Sequence, residues 1–191
     1  MDPGARHDDA RAAVLDAAEA LFYEHGVQSV GMDQIRDRSG IPLKRLYALF
    51  GSKEALVVAV LERRDVRWRF RLTEHVQRYA DPQERLLAVY EWLGLWFSEP
   101  DFRGCAWINT FGELGGTSPA IAEQARRHKR AFGRLIDDLC SDAGVAQATA
   151  DALYLLAEGA MVTAGIFASA TPAAQAGETA RQLLAGSRVG L

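Results

Sequence analysis

The chain has 191 residues, enough for one or two domains whose core needs no disulfide or metal staple. It is 49% hydrophobic and 25% charged with a formal net charge of −3, which excludes a disordered chain, a collagen-like repeat and a disulfide framework. That overall balance gives no sign of a polyanion partner, so any such case rests on local charge.

The pattern is helical throughout, with no sustained alternation of period two and no hairpin dipeptide. Asp8 or Asp9 can cap a first helix whose apolar face is Val14, Ala17, Ala18, Leu21 and Phe22, and Gly26 ends it. A short helix over Met32 to Ser39 carries Met32 and Ile35 on one face and stops at Gly40. Pro42 sits where a helix starts, and Leu46 and Phe50 share a face of the next helix. Two short helices joined by a tight turn containing Gly make a helix-turn-helix. Ser52 can cap a fourth helix reaching about Tyr79, roughly 40 Å long. Asp81-Pro82-Gln83-Glu84 is a strong start for the fifth, which ends near Ser98. A short segment from Cys105 to Leu114 follows. The seventh helix runs from Pro119 to about Asp142, the eighth from Ala150 to Ala168, and the last from Pro172 to about Leu184. The eighth is apolar almost all round and so needs cover on most sides. The expected fold class is therefore all-α, with about nine helices.

Cys105 and Cys140 have no metal-ligand or redox spacing and read as small buried apolar residues. The four scattered histidines make no metal site, and His75 reads as a surface residue. Residues 1–11 are polar, so no signal peptide is expected. The uncharged run from Gly159 to Gly177 is too weakly apolar for a membrane span. The expected location is the cytoplasm, with no membrane partner.

Splitting the charge changes the picture. Val30 to Arg71 holds ten cations against five anions, whereas Leu72 to Leu191 holds ten against fourteen. A basic segment on an acidic remainder fits a module that meets polyanions. A solvated helical face is the bland alternative.

Arg11 to Leu61 resembles the DNA-binding domain of TetR/AcrR-family transcriptional regulators. The residues that carry the resemblance are Val14-Leu15-Asp16-Ala17-Ala18, Leu21-Phe22, Gly26, Met32, Ile35, Gly40-Ile41, Leu46-Tyr47, Phe50 and Ser52-Lys53-Glu54-Ala55-Leu56. About a quarter of the chain is covered, and the pieces are specific together rather than singly. The resemblance implies a helix-turn-helix domain over residues 1–55 and a regulatory domain for ligand binding and dimerisation over residues 56–191.

On that footing the helix after Pro42 is the recognition helix, with Leu43, Lys44 and Arg45 at its start toward base edges. Arg45 can meet guanine O6 and N7 in bidentate fashion, and Lys44 can do so as a point charge. Tyr47 offers a hydroxyl to phosphate, Ala48 can touch a thymine methyl, and Lys53 can grip a phosphate at its helix start. Arg36 stands where relatives commonly have Ala and joins the same group of DNA contacts. Gly31 replaces the usual Thr or Ser cap, and Asp33 an often basic position; these departures concern the operator sequence.

Seven of the 17 aromatic residues lie between Tyr90 and Phe111. They suit either a bulky core or an aromatic ligand pocket. The pocket reading gathers Trp92, Trp96, Trp107, Asn109, Phe111, Glu113 and His128. Leu155, Gly159, Val162, Thr163 and Ile166 suit a dimer interface of four helices. The expected function is a ligand-responsive repressor that binds a palindromic duplex operator as a homodimer. No cofactor is expected, but the resemblance implies an unidentified small-molecule effector. The alternatives are a helical protein-interaction module, or a small helical enzyme, for which the sequence offers no catalytic motif.

Overall fold

The computed structural model describes residues 3–186; residues 1–2 and 187–191, the outer ends of the two expected domains, lie outside them. Nine helices fill the described residues: α1 Pro3–His25, α2 Met32–Ser39, α3 Leu43–Phe50, α4 Lys53–Val76, α5 Pro82–Phe97, α6 Ala106–Leu114, α7 Pro119–Asp142, α8 Gln147–Phe167 and α9 Thr171–Gly186. The expected starts are explained by caps. Ser52 Oγ accepts the N–H of Ala55 at 3.0 Å ahead of α4. Asp81 Oδ1 accepts those of Gln83 at 2.9 Å and Glu84 at 3.0 Å ahead of α5. Ser118 Oγ accepts the N–H of Ile121 at 3.2 Å and donates to Glu54 Oε1 at 2.5 Å, which starts α7.

The chain forms two compact units. One comprises the residues up to Asp65 together with Ala106–Arg126; the other comprises Val66–Cys105 and the residues from Arg127 on. Helices α4 and α7 contribute residues to both.

In the first unit α2 packs on α1 and α3 on α2. Val14, Ala18, Leu21, Phe22, Ile35, Leu46 and Phe50 are buried there, on the spacing-derived faces of α1, α2 and α3, together with Leu56 of α4. Gly40 leaves α2 in the left-handed region at φ 69°, donating its N–H to the Arg36 carbonyl at 2.9 Å.

In the second unit α5, α8 and α9 pack on one another. Trp68 sits edge-on to Trp92, Trp96, His128 and Phe132, with ring centroids 4.9–5.7 Å apart. The Tyr90 hydroxyl donates to the Leu153 carbonyl at 2.7 Å. Cys105 and Cys140 are both buried, as their composition suggested.

His75 is a correction. It is 6% exposed, with Nε2 3.5 Å from Glu91 Oε2. Its spacing of three from Leu72 and seven from the buried Trp68 places it on the core face of α4. Helix α8 is not covered all round within its own chain. Leu155, Val162, Ile166 and Phe167 are exposed along it, so this chain covers only part of its surface. It is long and apolar enough to cross a membrane by length and composition, and 33% of its most apolar stretch is buried inside the chain.

Candidate nucleic-acid interface

Helix α3 is amphipathic over two turns. Leu46 and Phe50 are buried, Leu43 is half-buried, and Lys44, Arg45, Tyr47 and Ala48 face solvent. Pro42 enters the helix at φ −57°, and Gly51 closes it at φ 75° with its N–H on the Tyr47 carbonyl at 2.8 Å. Two adjacent cations at a helix start are disfavoured by the dipole of their own helix. An external anion relieves that cost.

Arg11 was not singled out from the sequence. Its guanidinium lies 4.6 Å over the Phe50 ring, and Nη1 is 3.5 Å from the Leu49 carbonyl. It steadies the end of α3 from α1, and no local pattern announces such a contact across 38 residues. Gln34 was also missed, although it has a signal. It stands three residues after the Gly31 cap, and its Oε1 accepts the Gly31 N–H at 2.6 Å.

Arg36 is held by two acids, with Nη1 2.5 Å from Asp33 and Nε 2.8 Å from Asp37. The hydrogen bond that Arg36 donates to Asp37, then the charge of Asp37, raises the guanidinium pKa, and Arg36 in return lowers that of Asp37. A phosphate at Arg36 would compete with both carboxylates. Lys53 is half-buried; desolvation lowers its ammonium pKa, and the charge of Glu113 opposes that shift.

The residues grouped as an aromatic pocket divide. Trp92 and Trp96 stack on each other at 5.6 Å, and both are buried beside Trp68, as is His128. Trp107 is 1% exposed, whereas Phe111 is 46% exposed. Asn109 and Glu113 do line a cavity, of about 310 Å³, within the first unit. Phe22 and Tyr23 of α1, Val57 and Arg64 of α4, and Thr110 of α6 line it as well. Glu19 is another wall residue, and its carboxylate takes Arg63 at 2.8 Å and Arg64 at 3.0 Å.

Glu113 does more than line that cavity. Oε1 accepts the N–H of Val27 at 3.1 Å, and Oε2 that of Gln28 at 2.8 Å. These residues follow Gly26 in the turn that leads from α1 to α2. Gly26 opens the turn at φ 83°, and a Cβ there would lie 3.1 Å from Glu113 Oε1. The turn therefore combines a left-handed backbone with a close approach, and both favour glycine.

The residues grouped as a dimer surface, Leu155, Gly159, Val162, Thr163 and Ile166, are all exposed on one stripe of α8 at helical spacing.

Residues 14–60 match the family described as bacterial regulatory proteins, tetR family. The HTH-type transcriptional activator FasR of Mycolicibacterium smegmatis is 32% identical over 139 residues, 72% of this chain and 62% of FasR. The chain thus spans about three fifths of the length of the curated relatives it matches first. A TetR-family regulator from Streptomyces coelicolor has the same fold, with a TM-score of 0.85, 25% identity, and 94% of this chain and 96% of that chain covered. The reduced form of NemR from Escherichia coli superposes with a TM-score of 0.81 at 26% identity, covering 91% of this chain and 96% of that one.

Proposed function

Because the chain belongs to the TetR family of bacterial regulatory proteins, we propose that it binds a palindromic duplex operator as a homodimer and represses transcription in response to a small molecule. The observation that carries the reading is the outer face of α3. Lys44, Arg45, Tyr47 and Ala48 are exposed at consecutive and i, i+3, i+4 positions, over a buried Leu46 and Phe50. Such a helix can enter a major groove without disturbing its own core. Arg45 reads a base edge, Lys44 and Tyr47 hold backbone phosphates, and Ala48 leaves room for a thymine methyl. Leu43, half-buried, packs the start of α3, and Arg36 and Lys53 flank the contact.

The apolar stripe of α8 supports a homodimer. Leu155, Val162 and Ile166 are large apolar side chains in the open, and the small Gly159 between them allows close helix approach. A twofold dimer sets two recognition helices about 34 Å apart on one face of the duplex. The division into residues 1–55 for DNA and 56–191 for regulation belongs to the same proposal, as do a cytoplasmic location and a non-enzymatic role.

Selection of bound fragments from random duplex DNA at low salt tests the reading. Enrichment of a palindrome with half-sites about one helical turn apart is the expected result, with affinity falling steeply as salt rises. No enrichment at any salt, or salt-independent capture, overturns it. The second outcome would favour a protein-interaction module.

A further inference from the structure

We propose that the Val66 and Phe70 face of α4 docks into the groove between α5 and α9 of a second copy of this chain, in a contact separate from the α8 stripe. Both patches lie within the second unit, and the contact does not rest on the DNA-binding reading.

The protruding patch comes from Val66-Arg67-Trp68-Arg69-Phe70-Arg71. Trp68 turns into the core, whereas Val66 is 64% exposed and Phe70 61%. Four residues apart on a helix, these two share a side. Arg67 and Arg69 are exposed and flank that side. Arg71 completes the basic run, and it is paired with Glu99. An open aromatic side chain set among arginines has the composition of an interface anchor.

The receiving groove is made by small residues. Gly94 of α5 and Gly177 of α9 let their helices approach closely. A Cβ on Gly94 would lie 3.5 Å from the Ala173 Cβ, and one on Gly177 would lie 3.3 Å from the Tyr90 Cβ. Ala88 and Ala174 also line the groove, which is open and holds about 640 Å³. That space takes an aromatic ring.

Charge selects the occupant. Glu84, Glu91, Glu178 and Arg181 line the same groove. Arg181 is paired with Glu178, which leaves the carboxylates of Glu84 and Glu91 to set the sign. Tyr79, another lining residue, donates its hydroxyl to Glu91. That hydrogen bond, then desolvation, then the charges of Glu91 and Glu84 raise the Tyr79 pKa. A small-residue floor beside carboxylates calls for an apolar side chain flanked by cations. The chain carries that combination on α4, with Phe70 between Arg69 and Arg71 and Val66 beside Arg67.

The two patches differ, so the contact is heterologous. Each copy offers one of each, and assembly continues past a dimer built on α8.

Sedimentation velocity on the full chain, without DNA, tests this over a range of concentrations. At low salt the unaltered chain is expected to grow past a dimer as its concentration nears about 0.1 mM, and to shrink back as salt rises. Phe70→Ser is expected to weaken that growth at least about tenfold. Arg67→Glu with Arg69→Glu abolishes it, and so does Glu84→Lys with Glu91→Lys. Mixing the two charge-reversed proteins restores it, because a reversed knob then meets a reversed groove. Thermal melting checks that each variant is folded, and Glu84→Lys alone serves if the double change is not. Ile166→Glu separates this contact from the α8 stripe: growth is expected to persist in it, starting from a monomer. A size that ignores concentration at low salt overturns the proposal. So does growth indifferent to Phe70→Ser, growth lost with Ile166→Glu, or a mixture that fails to restore it.

Discussion

Glu113 accepts two hydrogen bonds from Gln28 across 85 residues of sequence: its Oε2 takes the Gln28 N–H at 2.8 Å, and its carbonyl takes Gln28 Nε2 at 2.7 Å. With Val27 N–H also on Oε1, the end of α6 fixes the turn that leads into the helix-turn-helix. Replacing Glu113 by Ala leaves two backbone donors without their acceptor. The expected cost is about 1–3 kcal/mol in stability, read from urea unfolding, together with weaker duplex binding. A stability loss with unchanged duplex affinity would mean that the turn does not govern α3.

Gly26→Ala attacks the same turn from the other side. A methyl group there meets the Glu113 carboxylate at about 3.1 Å on a backbone at φ 83°. A loss of about 1–2 kcal/mol is expected. In a double-mutant cycle Gly26→Ala and Glu113→Ala should be less than additive, since each removes the same clamp.

On α3 the two cations separate by role. Arg45→Ala should weaken operator binding by about 1–3 kcal/mol and relax base choice at one position. Lys44→Ala should weaken all sequences alike and reduce the salt slope by about 1. Binding titrations at several salt concentrations check both.

Ile166 is 71% exposed on the α8 stripe. Ile166→Glu places a charge at the C-terminal end of the proposed interface stripe. Sedimentation should then show a monomer where the unaltered chain is a dimer. A dimer that survives the change puts the interface elsewhere.

Ala168 ends α8 at φ 48°, in the left-handed region, and is exposed. Gly relieves that strain at the cost of a freer unfolded chain. Ala168→Gly should therefore be stabilising by about 0.5–1 kcal/mol, seen as a rise of a few degrees in melting temperature.

Much of the fold was legible in the residues. Asp81-Pro82 and Ser118-Pro119 mark their helix starts through caps that need nothing beyond the next turn. The three- and four-residue spacing of Val14, Ala18, Leu21 and Phe22 identified a buried face correctly. Trp92, Trp96 and His128 were less legible, because an aromatic cluster reads alike whether it lines a pocket or fills a core. His75 misled because a lone histidine reads as polar, although its register with Trp68 and Leu72 pointed inward.

The sequence by itself determined the local structure and the outward face of α3, since helix caps, glycine breaks and amphipathic spacing act within a turn or two. Only the tertiary structure decided which side chains meet across the chain. Glu113 on the turn after α1, Arg11 over Phe50, and Arg64 between Glu19 and Tyr23 are long-range pairings. They depend on how helices pack, and neither propensity nor spacing carries that information.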